Sequence, residues 1–149
     1  TFGKAFGSGG AFLATDSLIG EKLLQNCGAF RYTTALAPAL CASAFAALIL
    51  IKNNPDWGNK LQENSVAFRE KLSAIGWERP QGKGPIISII LGSDELAIEY
   101  QKKLESQGLL TVAIRPPTVP EGKSRLRLII RRNIPIETFE RLIKVLSCK

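Results

Sequence analysis

The sequence predicts an α/β protein with two parts that divide near residue 54. Asn53-Asn54-Pro55 marks the division, because the residue before proline is pushed out of helical geometry and asparagines favour turns. Before this point the signals are mainly helical. After it, β-branched runs and amphipathic stretches follow in the order β-α-β-β-α, which predicts a small sheet covered by two helices, an α+β unit.

Three elements are expected in the first part. Residues 1–15 are glycine-rich and then apolar, which predicts a loop running into a short buried strand. Asp16 or Ser17 suits the cap of the helix that follows. Pro38 suits the first turn of a long helix that ends near Lys52.

Residues 32–51 carry no charge over 20 positions, a length that could span a bilayer. The segment also contains seven alanines, Pro38 and hydroxyl residues, so its insertion into a membrane is poorly favoured. It is therefore expected to be a buried helix at a subunit or domain contact, with no membrane partner.

The second part has regular signals along its whole length. A helix is expected over 56–75, and Leu126 and Leu128 alternate with Arg125 and Arg127, as in a half-buried strand. The complete expectation after residue 75 is strand 86–91, helix 94–107, strands 110–115 and 125–130, and helix 135–147.

Composition narrows the function classes. The net charge of +7 suggests an acidic partner, either nucleic acid or a phosphorylated small molecule. The most basic stretch, residues 123–132, has five positive charges and no aromatic residue that would stack on bases. Three cysteines without a CxxC pair, in a chain without histidine, predict no metal site and reduced thiols in a cytoplasmic protein. The absence of methionine suggests that the natural N-terminus is missing.

Lys4 is the first candidate for chemistry. It lies in TFGKAFGSGG, where small neighbours let a cofactor approach the backbone closely. An amine desolvated in such a place becomes a competent nucleophile for an aldehyde. The segment is neither a P-loop nor a dinucleotide fingerprint. Taken alone, it is also compatible with an exposed loop lysine.

A proline-rich loop is the second candidate. The segment RPPTVPEGKSRLRL begins at Arg115 and includes Arg127. Its three prolines stiffen the connection between two predicted strands, and a guanidinium beside it could hold a carboxylate by two hydrogen bonds. The alternative is a plain connection with solvated arginines.

The two segments together resemble the α-oxoamine synthases, a family of fold-type I pyridoxal-phosphate enzymes. TFGKAFGSGGA resembles their lysine motif, RPPTVPEGKSRLRL their C-terminal signature, and the likeness includes RYTTALAP before the long helix. This resemblance implies that residues 1–54 are the C-terminal part of a large cofactor domain with its interdomain helix. Residues 55–149 would be the small α+β C-terminal domain.

The resemblance also implies roles for individual residues. Lys4 matches the lysine that holds pyridoxal 5'-phosphate as a Schiff base, and Thr1 matches a threonine that binds the cofactor phosphate. Thr33 and Thr34 match hydroxyl residues that reach a phosphate in the neighbouring subunit, so a homodimer is expected.

For the substrate, Thr118 matches a contacting threonine, and Arg127 and Arg115 match arginines near the amino-acid carboxylate. Ile129 and the residues after it depart from the family's Thr/Ser-Ala-Ala-His-like continuation. The family's ring-stacking histidine and pyridine-pairing aspartate would precede Thr1, so this chain alone is expected to be inactive.

The implied activity is the decarboxylating condensation of L-alanine with pimeloyl-CoA, or a pimeloyl carrier, in biotin biosynthesis. The alternatives are a family member that uses another amino acid and acyl-CoA, of the glycine C-acetyltransferase, 5-aminolevulinate synthase or serine palmitoyltransferase type, or a basic nucleic-acid-binding α+β domain.

Overall fold

The computed structural model describes residues 1–147 and divides the chain into two compact units, Thr1–Pro55 and Asp56–Lys149. The first unit contains α1 (Ser17–Asn26), α2 (Gly28–Arg31) and α3 (Pro38–Lys52). Asp16 caps α1, its Oδ1 accepting a hydrogen bond from the Ile19 amide at 2.9 Å. The expected helices are therefore confirmed, while the single turn of α2 was not predicted.

The short buried strand expected at the end of residues 1–15 is wrong for this chain. These residues form no strand, and Phe12 and Leu13 are 70% and 68% exposed. A strand needs a hydrogen-bonding neighbour and a covering layer, and residues 1–55, all of which the structure describes, contain no other strand.

α3 is apolar on every side. Its 15 residues carry one charge, on Lys52, and none of them is buried. A helix without a polar face is usually found in the interior of a larger protein. Among the described residues, no helix is both long and apolar enough to cross a membrane. The expected burial of α3 at a subunit or domain contact stays a prediction.

The second unit is an antiparallel sheet with helices on one face. Its elements are α4 (Asp56–Ala74), β1 (Ile86–Gly92), α5 (Asp94–Ser106), β2 (Val112–Ile114), β3 (Ser124–Ile129) and α6 (Ile136–Ser147). The strand order is β1-β3-β2, so the last strand in sequence is central. This confirms the β-α-β-β-α order.

The core lies between the sheet and three helices. The sequence predicted two covering helices, but α4 also contributes, since Phe68 and Leu72 are fully buried in the same cluster as the strand residues. Phe68 meets Phe139 of α6 edge-on, with ring centroids 4.8 Å apart. The inward strand positions alternate along the chain: Ile87, Ile89, Leu126 and Leu128.

No described helix of this unit covers the other face of the sheet, which we call the uncovered face, although residues 77–81 border it beside β1. Ile86, Ile90, Val112 and Ile129 on this face are between 48% and 60% exposed. Arg125 and Arg127 of β3 alternate with the buried leucines and so lie on the same uncovered face.

Candidate active site

Lys4 lies in a closed loop at the start of the chain. The Phe2 amide donates to the Gly10 carbonyl at 2.8 Å, and the Ser8 amide donates to the Phe2 carbonyl at 3.0 Å. Between these bonds, the Gly7 amide donates to the Lys4 carbonyl at 3.0 Å, and Gly7 has φ +58°. The lysine backbone is thus held by a turn, while its side chain is exposed.

An aromatic cluster supports the same loop. The rings of Phe2 and Phe6 are 5.0 Å apart, and those of Phe2 and Phe12 are 5.8 Å apart. The first pair is tilted and the second is stacked, and aromatic pairs of this kind add stability beyond their buried area. They leave the Lys4 amine in solvent, so the desolvation that would activate it is not provided by this chain's own residues.

The three threonines expected near a phosphate are also exposed. Thr1 stands at the entry to the loop, and Thr33 and Thr34 lie in the irregular stretch 33–37 between α2 and α3. Their hydroxyl groups are therefore accessible from outside this chain. Their contacts with a cofactor phosphate and with a second subunit stay predictions.

The proline-rich loop begins with a tight turn. The Thr118 amide donates to the Arg115 carbonyl at 3.0 Å, and the peptide bond between Pro116 and Pro117 is cis. A second turn closes at Lys123, whose amide donates to Pro120 at 3.1 Å. Arg115 and Thr118 are both exposed at this end of the sheet.

Arg127 sits in the middle of the central strand. It pairs with Ser88 of β1 on one side and Val112 of β2 on the other, and its side chain is exposed. The predicted alternation with Leu126 and Leu128 is confirmed. Arg127 also lines a depression of about 480 Å³ beside β2, whose lining includes Ile130 and Leu142 of the core.

The seven expected site residues fall into two groups. Lys4, Thr1, Thr33 and Thr34 belong to the first unit, and Arg115, Thr118 and Arg127 belong to the second. Arg125, whose alternation with the strand leucines was predicted, was not among these seven residues; it shares a sheet face with Arg127 and lines a depression of about 400 Å³ with Ser88 and Ile90. The period-two pattern of RLRL was the available signal.

Comparison with known proteins now places the chain. It belongs to the aminotransferase class I and II family, whose sequence model matches residues 1–146. Among its relatives is an 8-amino-7-oxononanoate synthase from Lysinibacillus sphaericus, 37% identical over 143 residues. That match covers 96% of this chain and 37% of the relative, so the chain spans little more than a third of that protein.

Solved structures agree on the fold. The crystal structure of 8-amino-7-oxononanoate synthase from Francisella tularensis has a TM-score of 0.84 at 31% identity and is matched over 98% of this chain and 43% of its own. The structure of serine palmitoyltransferase from Sphingomonas wittichii has a TM-score of 0.86 at 25% identity and is matched over 99% of this chain and 37% of its own. The expected fold, part of a fold-type I transferase, is confirmed.

Proposed function

We propose that this chain is part of a pyridoxal-phosphate-dependent acyltransferase that condenses L-alanine with pimeloyl-CoA, or with a pimeloyl carrier, to give 8-amino-7-oxononanoate for biotin synthesis. The observation that carries the proposal is Lys4, exposed in a closed glycine-rich loop, in a chain 37% identical over 143 residues to a synthase of that name.

The residues of the first unit suit a phosphorylated aldehyde. Residues 1–15 offer the Lys4 amine and the Thr1 hydroxyl and contain no carboxylate, and Thr33 and Thr34 add two exposed hydroxyls. No acidic side chain in these segments opposes a phosphate. When bound, pyridoxal 5'-phosphate supplies an electron sink for negative charge at the substrate α-carbon.

The chain's own residues then have distinct tasks. Lys4 Nζ holds the cofactor, and when released it takes the proton from the α-carbon of alanine as a general base. The Thr1 hydroxyl donates a hydrogen bond to the cofactor phosphate. The hydroxyls of Thr33 and Thr34 donate to the phosphate in the active site of the partner subunit.

The second unit orients the substrate. Arg127 holds the alanine carboxylate through its planar guanidinium, with Arg115 as the second candidate, and Thr118 contacts the substrate from the proline-rich turn. The position of Arg127 in a hydrogen-bonded central strand favours this role, because rigid elements hold reacting groups more accurately than loops do.

We further propose that the enzyme is a cytoplasmic homodimer. The exposed Thr33 and Thr34 and the all-apolar α3 support a subunit contact in this region. Equilibrium sedimentation of the full-length protein should give twice the monomer mass. A stable monomer with full activity would contradict the dimer.

Two alternatives remain to be separated by experiment. Other α-oxoamine synthases share the fold, as the match to the Sphingomonas wittichii serine palmitoyltransferase illustrates. A nucleic-acid-binding role has less support, since the uncovered sheet face combines Arg125 and Arg127 with aliphatic residues and no aromatic platform.

A substrate panel tests the proposal. The full-length protein is assayed for CoA release with L-alanine, glycine or L-serine, each combined with pimeloyl-, acetyl-, succinyl- or palmitoyl-CoA, and with a pimeloyl carrier protein. We expect kcat/KM for alanine with a pimeloyl donor to be about tenfold or more above kcat/KM for every other pair of substrates. A higher kcat/KM for another pair would contradict the proposal and assign the protein to the family members that use that pair.

A further inference from the structure

The lysine loop is tied to the rest of its unit at one polar point. Ser8 is the single buried residue within residues 1–55, all of which the structure describes, and its hydroxyl donates to the Leu40 carbonyl at 2.7 Å. Leu40 lies in the first turn of α3 and is 32 positions away in the sequence. The bond therefore joins two distant segments, unlike the local backbone bonds that serine hydroxyls can form in turns and helices.

Two glycines bring the loop close to the same segment. A Cβ placed on Gly9 would lie 3.1 Å from Leu40 Cδ1, and one placed on Gly10 would meet the side chain of Leu36. Gly10 also has φ +97°, a conformation that residues with a side chain rarely adopt. The loop backbone thus packs directly on Leu36 and Leu40.

This packing links the two ends of the candidate phosphate site within the first unit. Lys4 is four residues before Ser8 in the closed loop, and Leu36 is two residues after Thr34. Without the Ser8 hydroxyl, the loop would keep its internal backbone bonds but lose its polar anchor to α3. The Lys4 amine would then be less restricted relative to the Thr33–Thr34 stretch.

We propose that Ser8 is a positioning residue for Lys4, acting through its hydrogen bond to Leu40 to fix the lysine loop against the segment that carries Thr33 and Thr34. This inference rests on the proposed function of Lys4 as the cofactor-bearing lysine. Fixing a nucleophile at the productive position accelerates its reaction without changing its chemistry. The effect should therefore appear in how quickly Lys4 captures the cofactor aldehyde.

The test uses full-length apoprotein of the wild type, Ser8→Ala, Ser8→Thr and Ser17→Ala. Ser17 is an exposed serine of α1 in the same unit, so its replacement is a matched hydroxyl deletion. Pyridoxal 5'-phosphate is added and the rate of the visible absorbance change is followed by stopped flow. The unfolding midpoint of each apoprotein is measured in parallel, and the labelled lysine is mapped after borohydride reduction.

We expect Ser8→Ala to capture the cofactor about tenfold more slowly, the effect of losing one hydrogen bond, and Ser17→Ala to match the wild type. Ser8→Thr, which keeps the hydroxyl, should recover most of the rate. If Ser8→Thr does not fold, the comparison of Ser8→Ala with Ser17→Ala decides alone.

Equal rates for Ser8→Ala and the wild type would overturn the positioning role. A Ser8→Thr protein that folds but captures the cofactor slowly would also overturn it. The same holds if a stabilising osmolyte restores both the capture rate and the unfolding midpoint of Ser8→Ala. Either result would indicate a general structural effect. Failure of the proposed function gives a different signature, since the wild type itself would then carry the label on another lysine.

Discussion

Arg127 shows how a single position in a strand determines whether a side chain can reach a ligand. Its neighbours Leu126 and Leu128 are 0% and 5% exposed, so the pleat directs the guanidinium to the uncovered face. The sequence predicted this orientation from alternation alone. The carboxylate that Arg127 is proposed to bind was suggested only by family resemblance.

We expect Arg127→Ala to weaken alanine binding by about ten- to a hundredfold, since a charge-assisted pair is lost. Arg127→Lys should recover part of the affinity, because an ammonium does not form the same planar fork. The measurement is the change of the bound-cofactor spectrum with alanine concentration in the full-length protein.

Arg141→Ala is the matched control, since Arg141 is an exposed arginine of α6, on the helical side of the unit. It should leave alanine affinity unchanged. An Arg127→Ala protein with normal alanine affinity but altered dependence on acyl-CoA would transfer the proposed role to Arg115.

Arg69 has a structural role that its charge alone did not reveal. It is 1% exposed, and its three guanidinium nitrogens donate to the carbonyls of Ser65, Gln81 and Ile86 at 3.0 to 3.3 Å. Burial, and secondly the charge of Arg79, lowers the pKa of Arg69. The side chain joins α4 to the loop before β1 and to β1 itself.

Removing this side chain should be costly. Arg69→Met removes one hydrogen-bond donor from each of three carbonyls, and we expect a loss of about 3 kcal/mol in the free energy of unfolding. Arg79→Met removes only the exposed ion pair with Glu70 and should cost less than about 1 kcal/mol. Urea unfolding of both variants tests this, and equal losses would contradict the account.

At the scale of elements, the sequence predicted those whose signals are local. Asp16, one of the two residues expected to cap α1, does so, and Ser93 caps α5 in the same way, because each side chain accepts an amide hydrogen three residues ahead. The short strand expected at the end of residues 1–15 is wrong, because a strand depends on a partner that no local pattern specifies. The contribution of α4 to the core likewise depends on tertiary packing.

For α3 we predict that one substitution affects the 149-residue chain and the full-length protein in opposite ways. Phe45 is 64% exposed in this chain, although its helix has no polar face. We expect Phe45→Lys to reduce self-association of the 149-residue chain. In the full-length protein it should destabilise by about 3 kcal/mol, because the charge would enter a covered contact.

Ile136→Lys provides the control, since Ile136 is also 64% exposed but begins the amphipathic α6. Its effect in the full-length protein should stay within about 0.5 kcal/mol. Light scattering and thermal unfolding are the measurements. Full-length Phe45→Lys with unchanged stability would show that α3 is not buried at a contact.

At the scale of the whole molecule, the two units differ in how far they complete their own packing. Asp56–Lys149 has a core of fully buried side chains, whereas Thr1–Pro55 has no buried apolar residue. The relatives are also longer, with the chain spanning 37% of the Lysinibacillus synthase. Motif resemblance therefore predicted the chemistry of the site, and because Lys4 is exposed in this chain we expect its enclosure to depend on groups outside residues 1–149.

This difference predicts that the 149 residues alone have little or no synthase activity. Lys4 is present but exposed, and preorganised groups around a reacting centre normally provide much of the rate enhancement. CoA release with alanine and pimeloyl-CoA should stay at the background level for this chain and rise for the full-length protein. Comparable turnover by the 149-residue chain and the full-length protein would contradict the expectation that the site needs groups outside residues 1–149.

The most direct test of the central claim is the identity of the lysine that bears the cofactor. Full-length protein loaded with pyridoxal 5'-phosphate is reduced with borohydride, digested and mapped by mass spectrometry, beside Lys4→Ala and the nearby control Lys22→Ala, whose lysine lies in α1. We predict the label on Lys4 in the wild type and in Lys22→Ala, and its loss in Lys4→Ala. Label on any other lysine of the wild type would contradict the account.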